Sequence, residues 1–300
     1  MILTRNIYVL TLRFIMKKIF FAFALLLSLT SFCGFADKFD QLRKTLEPLS
    51  REQLVELINN EREPEDRRVA ACHVYRKKQK ESFEPSEDTE NYLPSEFVVF
   101  LRAVTEKSQD EHNVAYALDI LCIGSDLLET HEKELCEKLW KVIRSGNDDF
   151  VKVFCLETLE EFPNQFTSNW GEIKTLLMQI VKHSKNEEAR LNALSMLGGR
   201  VDENEKQALA GLAFEVAKTT RDKTLEAHAL CFVVTRDPKL FSTHQKEIVT
   251  RLFAIAESTD DNDLRREISS VLSGNEEIKR AHKADILKMK KVYLAQCKTT

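Results

Sequence analysis

One interval in the sequence does not drift. Apolar patterns at helical spacing begin at Phe97, Leu135, Ile173, Leu209 and Ile248, and 20 residues after each stands the anchor of a second pattern: Ala117, Cys155, Ala193, Ala229 and Ile268. In the first pattern, termed B, apolar residues recur four places on (Leu101, Leu139, Leu177, Ala213, Leu252) and seven on (Val104, Val142, Ile180, Val216, Ile255). Those offsets trace one face of an α-helix. In the second, termed A, the residue after the anchor reads Leu118, Leu156, Leu194, Leu230 and Ser269, and four places on it reads Leu121, Leu159, Leu197, Val233 and Leu272. Ala71 anchors an earlier A copy and Ile286 opens a late B copy. Successive A anchors from Ala117 lie 38, 38, 36 and 39 residues apart, whereas the step from A to the next B ranges from 16 to 26. Length changes therefore collect in the A–B turn while the B–A junction is held, as expected where one turn sets how helical hairpins stack.

The local chemistry agrees with helices. Only 8 Gly and 6 Pro in 300 residues disfavour a β-rich chain or long linkers. Acidic or amide residues stand at the start of A at Glu65-Asp66, Asp110-Glu111, Asn147-Asp148, Asn186-Glu187 and Asn262-Asp263, which suits capping and the helix dipole. Gly124, Gly198-Gly199 and Gly274 follow A, and predict left-handed C-caps.

The run Glu187-Glu188-Ala189-Arg190-Leu191-Asn192-Ala193-Leu194, with Leu197-Gly198, resembles the acid-x-V-R-x-x-A-L-x-x-L-G core of HEAT and HEAT-like (armadillo-type) repeats. Asp263 to Ile268 and Asp149 to Lys152 are looser copies. The resemblance extends over residues 64–298 and implies an all-α fold, a right-handed α-α superhelix (α-solenoid) of about five to six helical hairpins. Its arginine column (Arg68, Lys152, Arg190, Arg265) is interrupted by Val114 and Glu226. The family is mostly one of binding scaffolds, with some enzyme subunits and chromophore lyases, so the resemblance implies a non-catalytic scaffold for a protein partner. The competing implication is an enzyme-associated or lyase-like subunit with a ligand site in the concave groove. Residues 37–63 read as an N-terminal helical cap whose Leu54, Val55 and Ile58 face the first repeat. Residues 64–300 form the repeat domain, closed by a C-terminal cap from residue 275.

The N-terminus has a different character. Lys17-Lys18, the apolar run from Ile19 to Leu29 and small residues at Gly34 and Ala36 compose a secretory signal over residues 1–36, with Met16 a candidate start. Cleavage is expected after Ala36, placing the chain in the periplasm or outside the cell. An inner-membrane anchor through residues 19–35 and a lipoprotein acylated on Cys33 are the alternatives. Without residues 1–36 the chain keeps 40 Lys and Arg against 48 Asp and Glu, a net charge of −8. That balance disfavours a nucleic-acid partner. No two cysteines form a CxxC pair, and Cys122 with Cys136 is the best-placed candidate disulfide.

No catalytic pattern emerges. The histidine of His131-Glu132 has no second histidine four places on, and neither a nucleophile elbow nor a phosphate-cradling glycine loop is present. No cofactor or metal is expected. Four features offer surfaces instead. Arg144, Lys182 and Lys218 recur at equivalent ends of B helices, either as a partner-binding stripe or as offsets to helix dipoles. The long turn from Arg76 to Pro94 is a binding loop or a tolerated insertion. Residues 279–300 hold seven basic residues and one acid, Asp285, and either contact an anionic membrane surface or cap the last repeat. Trp140, Met178, Phe214 and Phe253 recur five places into B and are read as inter-repeat core rather than a ligand groove. A monomer is expected.

Overall fold

The computed structural model describes residues 35–81, 93–124 and 127–296. Residues 1–34, most of the expected signal segment over 1–36 and of the alternative anchor over 19–35, together with the middle of the long turn (82–92) and Cys297, lie outside them. Sixteen α-helices make up the regular structure of the described residues, with no strand. None of these helices is long and apolar enough to cross a membrane.

The chain divides into two compact units at Val142–Ile143. The first holds α1 (Phe35–Leu46), α2 (Arg51–Asn59), α3 (Glu65–Glu81), α4 (Ser95–Lys107), α5 (Glu111–Gly124) and most of α6 (Leu127–Ser145). In it, α2 pairs with α3 and α4 with α5, while α3 packs on α1 and α5. The second begins with α7 (Asp149–Leu159), α8 (Pro163–Ser168), α9 (Trp170–His183), α10 (Glu187–Gly198) and α11 (Glu203–Thr219). It continues with α12 (Lys223–Arg236), α13 (Pro238–Ser258), α14 (Asn262–Gly274), α15 (Glu276–Ala281) and α16 (Lys283–Gln296). Here the hairpins are α9 with α10, α11 with α12 and α13 with α14; α7, α10, α12 and α14 pack in that order as one layer. Neighbours in sequence are neighbours in space, as a helical repeat requires.

The periodicity is the burial pattern. Every A anchor is fully buried: Ala71, Ala117, Cys155, Ala193, Ala229 and Ile268 are each 0% exposed. The B starts, including Ile286, are buried too. In the large column five places into B, Trp140 and Phe214 are buried whereas Met178 and Phe253 are half-buried. Of the N-terminal cap, Leu54, Leu57 and Ile58 are buried and Val55 is half-buried.

The fixed interval has a hydrogen-bonded cause. Ser108, Ser184, Thr220 and Thr259, each 11 residues after a B start, donate their backbone N–H to the last turn of B. Their hydroxyls then accept the N–H two residues on, at Asp110 (3.2 Å), Asn186 (3.2 Å), Asp222 (3.0 Å) and Asp261 (3.1 Å). Those residues in turn cap helix A: Asn186 accepts from Ala189 N, Asp222 from Leu225 N and Asp261 from Leu264 N. Asp148 caps α7 in the same way, with Gly146 in the hydroxyl position. A two-step turn of this kind leaves no room for insertion.

The variable side is built differently. Four residues before B, His131 (φ −130°, ψ 20°), Asn169 (−105°, 11°), His244 (−116°, 16°) and His282 (−121°, 28°) share one non-helical conformation. This bridge region ends a short helical turn before B begins. The shortest A–B step, from Ala193 to Leu209, has no such kink, because α11 starts directly from its Asp202 cap. The ring of Phe214 lies 4.6 Å from that of His244, and Phe253 lies 5.3 Å from His282, so the large column packs on the kink of the following repeat.

One expectation needs correction, and one candidate bridge is not formed. No described glycine has a positive φ, so left-handed C-caps do not end these helices. Gly199 follows α10 at φ −80°, ψ −16°, and the side-chain caps of Asp202, Asp237 and Asn275 start the next helix instead. Gly198 is needed for space: a Cβ there would stand 2.8 Å from Cε2 of Phe232. Nor does a disulfide join Cys122 to Cys136 or any other described pair. Both are buried in helices as small apolar side chains.

Candidate functional site

The basic stripe is mostly occupied by local partners. Arg144 makes a two-pronged ion pair with Glu172, at 2.9 and 2.8 Å, and its hydrogen bonds hold that carboxyl below the usual carboxylate range. Lys218 lies 3.1 Å from Glu215 and 4.2 Å from the centroid of Phe214. Lys182 is exposed and has no ion partner among the described residues. In the C-terminal cap, Lys279 pairs with Glu276 on α15 and Lys288 of α16 with Glu257, while Leu287 is 48% exposed.

The arginine column is structural, and the structure supplies what replaces it. Arg68, Arg190 and Arg265 donate Nε to the carbonyls of Ile58, Val181 and Ala256 at the ends of the preceding helices, at 2.7, 3.1 and 3.0 Å. At the equivalent place stands Glu226, buried at 5% exposure. Arg251, from the next hairpin, reaches back to bond the Ala217 carbonyl and pairs with Glu226 at 2.8 Å. Lys223 reaches the other carboxylate oxygen at 2.7 Å.

One unfilled surface lies in the second unit, on α10, α12 and α14. These three consecutive A helices line an open groove of about 510 Å³. Among its lining residues is a column one place before the anchors, Asn192, His228 and Glu267. His228 Nδ1 and Glu267 Oε1 are 2.9 Å apart, which links α12 to α14. Leu191, Leu194, Phe232 and Val271 supply apolar wall, and Gly198 lets Phe232 close against α10. Arg236 ends α12 at the edge of the groove, its guanidinium 5.9 Å from the centroid of Phe232.

Burial pushes the Cys231 thiol far above its usual range, and Glu267 adds to this, so the groove's one cysteine is held as an inert thiol. Ser195 has no hydrogen-bonded base, and among the described residues no three His, Cys, Asp or Glu side chains are placed to hold a metal ion. A second cavity of about 280 Å³ near Phe253 and Met289 is lined by Glu257 and Lys288, 3.7 Å apart, and by the carbonyl-bonded Arg265.

The groove residues escaped the sequence reading, although their signal was present. Reading one place before each anchor from Ala117 onward gives Tyr116, Phe154, Asn192, His228 and Glu267, aromatic in the first two copies and polar in the last three. Comparison with protein-family models and with curated proteins returns no match for the chain. Its established class is thus an all-helical protein with sequential helix-pair packing.

Proposed function

We propose that this chain is an exported, non-catalytic HEAT-like scaffold, a right-handed α-α superhelix that binds a protein partner along the groove of α10, α12 and α14. The observation that carries the reading is the groove itself, an unfilled surface crossing three consecutive hairpins, lined by both apolar and polar side chains. Elsewhere the repeat-conserving side chains are consumed by stacking: anchors in the core, arginines on carbonyls, serines and threonines in junctions. The export segment over residues 1–36 supports a periplasmic or secreted location. The basic stripe is the weaker face, since Arg144 and Lys218 already hold acidic partners.

The volume of the groove also falls within the range of small-molecule sites, roughly 300–1,000 Å³. That favours, as the second reading, an enzyme-associated subunit with a ligand in this groove. Affinity capture from envelope extract with residues 37–300 separates the two. A protein recovered in stoichiometric amount with the wild type, and lost with Leu191→Asp, supports the scaffold. A co-purifying small molecule with no protein partner supports the second reading, and capture unchanged by Leu191→Asp would remove the groove as the binding face.

A further inference from the structure

We infer that the groove selects an extended partner segment bearing a carboxylate beside an apolar side chain, with Arg236 as the carboxylate receptor. This rests on the scaffold reading and adds the chemistry of the bound segment. Most described arginines are committed within the fold: Arg102 to Glu134, Arg144 to Glu172, Arg200 to Glu160, Arg251 to Glu226 and Arg266 to Asp263. Arg236 lines the groove and has no carboxylate within ion-pair distance among the described residues. The groove's own carboxylate, Glu267, is turned to His228 at 2.9 Å. The groove thus has a positive end at Arg236, free of any carboxylate partner among the described residues, and one carboxylate, Glu267, engaged with His228, in a chain that without its first 36 residues carries a net charge of −8.

Held near the Phe232 ring, the guanidinium presents a planar fork that matches a carboxylate, which a lysine would not do. The apolar neighbour is specified by Phe232, whose ring centroid lies 5.9 Å from that fork, and Leu191 and Leu194 continue the apolar surface along α10. Asn192 and Ser195 line the same groove and have no side-chain hydrogen-bond partner among the described residues, which leaves them for the backbone of an extended segment. The long-range field repels acidic chains in general, so a carboxylate is accepted only where this fork can reach it.

The test uses three labelled hexapeptide pools of the same apolar background, with one position fixed as Asp or Glu, as Asn or Gln, or as Lys. Binding to residues 37–300 is read by fluorescence anisotropy for the wild type, Arg236→Gln, Arg236→Glu and Arg236→Lys, with circular dichroism confirming the fold of each. The acidic pool should bind the wild type at least about tenfold more tightly than the amide pool. Arg236→Gln should abolish that preference, Arg236→Lys should recover only part of it, and Arg236→Glu should turn it toward the lysine pool. Equal binding of acidic and amide pools, a preference that survives Arg236→Glu, or no binding of any pool overturns the inference. The scaffold reading fails separately, by envelope capture that is indifferent to Leu191→Asp.

Discussion

At the scale of single residues, adjacent glycines have opposite roles. Gly198 is required because a Cβ would meet the Phe232 ring at 2.8 Å, whereas a Cβ at Gly199 meets nothing within 4 Å and its backbone is already right-handed. Gly198→Ala should therefore cost about 1–3 kcal/mol through overpacking. Gly199→Ala should gain about 0.4–1 kcal/mol by restricting the unfolded chain. Urea denaturation checks both, and effects of the same sign would contradict the assignment. Glu226 and Arg251 are a second case. Arg251→Ala leaves a buried carboxylate with Lys223 alone, and should cost toward the lower end of ~3–5 kcal/mol. Adding Glu226→Arg should recover most of that loss, because an arginine there can bond the Ala217 carbonyl as Arg190 bonds Val181 and Arg265 bonds Ala256. A double variant no more stable than Arg251→Ala would show that the column positions are not equivalent.

At the scale of elements, the junction explains both what the sequence revealed and what it concealed. The constant 20-residue step was legible because the Ser/Thr turn and the Asp/Asn cap leave no slack between B and A. Asp222 shows the cost of reading composition without geometry: it caps α12 like its counterparts, yet Arg221 and Lys223 on either side hide the acidic start. Asp222→Ala should cost about 1 kcal/mol, within the usual ~0.5–2 kcal/mol of a lost N-cap, and a thermal melt reads it. The kinks were hidden for another reason. His131, Asn169, His244 and His282 share a backbone conformation rather than a residue type, so they look like scattered polar residues until φ and ψ are known. The glycines misled because a helix-ending glycine has two uses. Here the next helix supplies its own cap, and Gly198 serves packing instead.

At the scale of the whole molecule, each hairpin is stabilised by its neighbours, so damage should spread along the sequence. Leu194 is 3% exposed on α10, between α9 and α12. Leu194→Asp should lower hydrogen-exchange protection in α9, α10, α11 and α12 together, because repeat stability is a sum of unit and interface contributions. Loss confined to α10 would contradict nearest-neighbour stacking. The groove belongs to the same logic: three A helices present the polar column Asn192, His228 and Glu267, in which the His228–Glu267 bond ties α12 to α14 and Asn192 has no side-chain partner among the described residues. The most direct measurement of the central claim is site-specific photocrosslinking in the full-length chain. A photoreactive residue in place of Thr235, exposed at the groove, is compared with one in place of Lys182, exposed on the basic stripe. The account predicts a single protein adduct at the Thr235 position and none at Lys182. An adduct at Lys182 with none at Thr235 would contradict it.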